Sequence, residues 1–168
     1  MKTKSFLIIL LLTGIFWSCE RQCILPKEEI GTGEIIANAK VNIVNKCFDA
    51  NEIPQGKDGK CIQSDSQNID NLQVSFDNGV HYQAIDFSKY SVLEKEVQTA
   101  GCSVVCERNV SKDTKNKKIV YTVTVHQCGG CEKLNTSWNW VLVPKIPEDY
   151  SIEYKVLKKY VKEKLRSK

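Results

Sequence analysis

Histidine and methionine are nearly missing from this 168-residue chain, with two of the first and one of the second. That leaves little material for a haem iron or a histidine-rich metal site. Proline is held to four residues and glycine to nine, which excludes a collagen-like or low-complexity Pro/Gly chain. The longest uncharged apolar run, Phe6 to Trp17, has twelve residues. Crossing a hydrocarbon core takes about 20 helical ones. No nucleophile elbow, phosphate-binding glycine loop, His-Glu metal motif or kinase signature appears. Acidic residues are scattered, so no carboxylate dyad stands out. Neither sign of charge dominates: there are 24 Lys+Arg and 20 Asp+Glu, with 26% of residues charged and 42% hydrophobic. These proportions describe one ordinary globular domain with an apolar segment attached.

That segment comes first. Lys2 and Lys4 precede the Phe6–Trp17 run, and Trp17-Ser18-Cys19 follows it. A basic start and a short apolar core are the layout of a signal peptide. A small residue before Cys19 resembles a bacterial lipoprotein signal. Phe16 and Trp17 stand where that family usually has Leu and a small residue, as in the looser boxes of Bacteroidota lipoproteins. The resemblance implies that residues 1–18 are cleaved and that Cys19 is acylated as the new first residue. The partner is then the lipid bilayer, and the location the cell envelope, anchored to the outer membrane. Residues 19–33, interrupted by Pro26, Gly31 and Gly33, read as a tether.

Without residues 1–18 the chain has 22 basic and 20 acidic residues. Seven basic residues and only Glu163 as an acid fall in 155–168, leaving 15 basic and 19 acidic in 19–154, a net of −4. Such a body offers no basic face for nucleic acid.

Residues 34–156 read as strands. Val41 and Ile43 alternate with polar neighbours, as do Leu72, Val74 and Phe76; Tyr121, Val123 and Val125; and Tyr150, Ile152, Tyr154 and Val156. Trp140 to Val143 is a continuous apolar run ended by Pro144, as in a strand buried on both faces. Asp77-Asn78-Gly79 suggests a three-residue hairpin loop pairing Phe76 with Val80, Val74 with Tyr82 and Leu72 with Ala84, which gathers all six on one face. His81 then lies on the polar face. A second hairpin joins 104–110 to 119–125 through the polar loop 111–118. Asp86-Phe87-Ser88 suits a capped turn. The expected fold is all-β: a mainly antiparallel sandwich or partly closed barrel, disulfide-stapled, after a cleaved signal peptide. Residues 157–168 read either as a solvated basic tail or as a short basic helix resting on a partner or anionic lipid.

An exported chain with eight cysteines is read first as a disulfide framework. With Cys19 acylated, seven remain, and Cys23 in the tether is the expected spare. Cys47 and Cys61 enclose a polar stretch, and a bridge there is worth about 3 kcal/mol on the chain-entropy estimate. In an antiparallel ladder, paired residue numbers have a constant sum. Cys102–Cys131 gives 233 and Cys106–Cys128 gives 234, whereas the crossed pairing gives 230 and 237. The nested pairing needs only a one-residue bulge. A bridge within Cys128-Gly129-Gly130-Cys131 is the rival.

That CxxC also admits a thiol–disulfide oxidoreductase, though Gly129-Gly130 and Leu134-Asn135-Thr136-Ser137 are poor helix material for lowering a thiol pKa. Cys102, Cys106, Cys128 and Cys131, with His126 to spare, have zinc-ligand spacing, but an oxidising compartment favours bridges. No metal, cofactor or catalytic residue is expected. Ile85-Asp86-Phe87-Ser88-Lys89-Tyr90, Gly101-Cys102, Tyr121–Val125, Cys131 and Asn139–Lys145 together resemble small Bacteroidota lipoproteins of unknown function. The strand order resembles the compact β-domain at the C-terminus of bacterial PrcB-type protease-complex subunits. Neither resemblance implies a catalytic residue. The expectation is a non-catalytic binding or scaffolding domain, contacting an envelope protein through loops 48–60, 111–118 and 132–137, with Trp138 as a core or anchor residue. The rivals are the oxidoreductase and an accessory subunit or inhibitor of an envelope protease.

Overall fold

A computed structural model describes residues 21–26, 31–43, 59–63 and 72–165. Among them there is no helix. Twelve strands appear: β1 Arg21–Gln22, β2 Thr32–Gly33, β3 Lys40–Ile43, β4 Lys60–Ile62, β5 Leu72–Ser75, β6 Gln83–Ala84, β7 Tyr90–Ala100, β8 Ser103–Asp113, β9 Lys118–Cys128, β10 Leu134–Pro144, β11 Ser151–Tyr160 and β12 Lys164–Leu165. They form a four-stranded sheet (β11-β9-β8-β2), two three-stranded sheets (β10-β7-β4 and β3-β5-β6) and the small pair β1-β12. The fold is all-β, as expected.

The β10-β7-β4 sheet is the middle layer. Leu93 and Val141 stand opposite each other and pack with Val97 and Val143 against Val110, Tyr121, Val123 and Val125 of the four-stranded sheet. Their chain neighbours Val92 and Leu142, also paired, point the other way and pack with Leu72 and Val74 of the third sheet. This explains the unbroken apolar run at 140–143. A strand covered on both faces has no polar side to alternate with. β9 is the opposite case. Ile119, Tyr121, Val123 and Val125 are buried, with half-buried Val120, Thr122 and Thr124 between them. Burying each such aliphatic side chain contributes roughly 1.5–3 kcal/mol.

The long hairpin is β8–β9, paired from Ser103↔Cys128 to Asp113↔Lys118. Its turn is shorter than the polar loop read at 111–118. Asp113 accepts from the Asn116 backbone N–H at 3.0 Å and from Asn116 Nδ2 at 2.7 Å, closing the chain within four residues. Lys117 takes the left-handed position, at φ +47°.

Two further features depart from the expectation. β11 pairs with β9 in parallel, from Ser151↔Lys118 to Tyr160↔Gln127, and β2 pairs with β8 in parallel. β11 therefore continues past Val156, through the start of the basic tail read at 157–168, and β12 follows it. The β5–β6 register also differs: Val74 faces Gln83, not Tyr82. Asp77 and Ser75 supply the reason. Ser75 Oγ accepts from Gly79 N–H at 2.8 Å, and Asp77 Oδ1 accepts from Val80 and His81 N–H at 3.1 and 2.9 Å. Side chains thus take the donors that a ladder would have used, and residues 76–82 form a capped loop instead of strand. Asp86 closes the next turn, accepting from Ser88 N–H at 3.1 Å.

Candidate functional site

Of the sulfurs singled out in the sequence, Cys102 is bonded to Cys131, with Cα atoms 4.9 Å apart. Cys128 is bonded to Cys23, at 5.8 Å, and Cys106 keeps a buried free thiol. The expected Cys106–Cys128 bridge is therefore corrected, and strand parity gives the reason. Ladder partners in β8–β9 sum to 231, so Cys106 faces Val125 and Cys128 faces Ser103. Side chains on one face of this ladder must then have odd sums. Cys106 and Cys128 sum to an even number and project from opposite faces. Cys23 is accordingly not the spare thiol. Cys61 is also a free thiol, and the other half of the expected Cys47–Cys61 bridge falls on a residue that is not described. Cys47, Cys19 and loop residues 48–58 lie outside the described residues. Burial pushes the Cys61 thiol above its ordinary pKa, opposed by a contact from Gln63 and by the Lys145 charge. That keeps it protonated at neutral pH and a poor nucleophile.

The concave surface lies elsewhere. On β8, Val104, Cys106 and Val110 face the sandwich interior. Arg108 occupies the same alternating row but is only half-buried. Its guanidinium charge reaches the neighbourhood of the buried Tyr121 hydroxyl. A cation in a core-facing position needs an opening, and one is present between β3 and β10. It is a cleft of about 420 Å³, walled by Trp138, Trp140 and Tyr82, with Lys40 and Arg108 contributing positive charge and Asn42 an amide. Among the described residues, no acidic side chain lines it.

Arg108 and Trp138 also border a second recess of about 300 Å³. Ser137 and Asn139 furnish its polar wall. Asn139 Nδ2 donates to Ser137 Oγ at 2.8 Å and to the Lys95 carbonyl at 3.3 Å. The Tyr121 hydroxyl donates to the Asn139 carbonyl at 3.0 Å, and Cys106 Sγ lies 3.4 Å from Ser137 Oγ. These bonds fix the β10 backbone on which Trp138 and Trp140 stand.

The arrangement offers flat aromatic surface, two cations and neutral polar groups, a combination suited to holding an anion that has an apolar face. Trp138 is neither fully core nor fully exposed; it forms the wall between the two recesses. Sequence reading missed Arg108. The signal was present: a charge two residues from Cys106 and from Val110, both core-facing. His81 is solvent-exposed, with Nδ1 2.6 Å from Asp77 Oδ2. His126 lies 2.9 Å from Glu107 on the far face of β9, away from the cleft.

With this geometry in hand, a scan against protein-family models gives no match, and no curated protein or solved structure is found to be similar to the chain.

Proposed function

We propose that this chain is a lipid-anchored protein of the bacterial cell envelope, held by acylated Cys19, whose β domain binds anionic ligands with a flat apolar face. Catalysis is not part of this reading. The cleft under Trp138 and Trp140 carries it, with aromatic walls and the positive charges of Lys40 and Arg108 together. The signal pattern ending at Cys19 supports the anchor, and the two bridges suit an oxidising compartment. The CxxC sulfurs are bonded to Cys23 and Cys102 instead of to each other. That arrangement favours a stapling role over a thioredoxin-type pair.

Two measurements test the reading. Radiolabelled palmitate is expected to label the native chain and not Cys19→Ala. Naphthalene-2-sulfonate, an anion with one flat face, is expected to quench tryptophan emission of the folded chain. Arg108→Gln weakens that binding about tenfold, corresponding to one charge-assisted contact. Equal binding of an uncharged naphthalene, unaffected by Arg108→Gln, overturns the assignment of the cleft to anions.

A further inference from the structure

We propose that the end of the domain around Cys128 and Tyr160 rests directly on an anionic lipid surface. The inference builds on acylation of Cys19 and goes beyond it, because it concerns how the folded domain sits on the membrane. In sequence, residues 19–33 look like a long tether. The Cys23–Cys128 bridge shortens it. Only four residue steps separate Cys19 from Cys23, a reach of at most about 14 Å. The headgroup layer beside each hydrocarbon face is about 5–8 Å thick. Whatever surrounds Cys128 is therefore held at or just above the headgroups.

The register identifies those surroundings. Tyr160 pairs with Gln127, and the Val161 N–H donates to the Gln127 carbonyl at 2.9 Å. The Cys102 N–H donates to the Cys128 carbonyl at 3.1 Å, and Leu134 pairs with Ala100 at the same end. β1 and β12 pair beside Cys23. The side chains here are unusual for a water-facing surface. Tyr160 is 83% exposed, Leu134 65% and Ile24 57%. Among the described residues, the large exposed apolar side chains otherwise comprise Val156 and Leu157, on the strand leading to this end, and three in the β5–β6 loop.

Lysines surround them. Lys133, Lys158, Lys159 and Lys162 are exposed here, against Glu132 and Glu163. Apolar tips that enter the headgroups, a tyrosine whose hydroxyl stays at the interface, and lysines that meet lipid phosphate form a membrane-surface pattern. None of the residues proposed to meet lipid lines the cleft between β3 and β10.

The test uses the native lipoprotein reconstituted in vesicles of phosphatidylcholine, alone or mixed with phosphatidylglycerol. Amide hydrogen exchange is followed by mass spectrometry, and the intact mass of the same sample reports the acyl chains. Docking predicts slowed exchange over 132–134 and 157–163 in the mixed vesicles. The protection is lost at high salt and in Lys158→Glu/Lys162→Glu. With Cys19 acylated, identical exchange in both lipids overturns docking and leaves the anchor standing. If Cys19 proves unacylated, vesicle flotation decides. Flotation with phosphatidylglycerol, weakened about fivefold per lysine neutralised, supports the surface while removing the anchor. No flotation overturns both.

Discussion

Asp77 shows how much a single carboxylate can organise. It accepts from the Ser75 hydroxyl and from two backbone amides, and His81 sits against its other oxygen. Led by the His81 backbone bond, these contacts hold its pKa well below the ordinary 3.8. The sign follows from linkage. A depressed folded pKa means the loop contacts are at full strength above the ordinary aspartate range and are lost only as pH falls below it. The amide resonances of Val80 and His81 are therefore expected to titrate clearly below pH 3.8, and Asp77→Asn should abolish that titration in an NMR pH series. Tyr121 is the buried counterpart. Burial pushes its pKa far up, so the hydroxyl stays a neutral donor to Asn139. Tyr121→Phe keeps the ring against Tyr154, at 6.0 Å between centroids, and removes only that bond. The expected loss is about 0.5–1.5 kcal/mol in a urea midpoint.

At the scale of elements, β9 connects the molecule. It is paired antiparallel to β8 and parallel to β11, and its inward row meets β7 and β10 across the sandwich. Val123 is fully buried at its centre. Val123→Ala is expected to destabilise the chain by about 2–3 kcal/mol through lost burial and a residual cavity, measured by thermal or denaturant unfolding. Much of the strand pattern was legible: the alternation at 119–125 reflects one buried face, and that at 150–154 a half-buried face packed on the core, although Val156 is exposed and β7 carries no alternation that was read. The β8–β9 hairpin was legible for the same reason. The parallel course of β11 was not. Alternation says which face is buried and carries no information on the direction of the neighbouring strand. The β5–β6 register was misread because matching apolar residues across a ladder ignores side chains that compete for backbone donors, as Ser75 and Asp77 do.

At the scale of the whole molecule, the Cys23–Cys128 bridge spans 105 residues and ties the N-terminal segment to the far end of β9. Cys23→Ser should lower stability by about 2–5 kcal/mol in non-reducing denaturant titrations, the usual range for removing a native bridge from a small domain. It also frees Cys128, and non-reducing peptide mapping is expected to show that sulfur unbridged while Cys102–Cys131 persists. A variant as stable as the parent would mean that β1, β12 and the core hold the end closed without the sulfur.

By itself the sequence determined the all-β class and the inward row of β9, and it favoured the Cys102–Cys131 pairing over a bridge within Cys128–Cys131. Each depends on local periodicity or on the numbering of a single hairpin. Tertiary structure alone decided that Cys128 meets Cys23, that Arg108 opens into a cleft with Trp138 and Trp140, and that Tyr160 and Leu134 share one end. Those meetings join segments distant along the chain. Which of them come together is set by how three sheets stack and by the direction in which β11 returns, and neither leaves a trace in the spacing of residues along one strand.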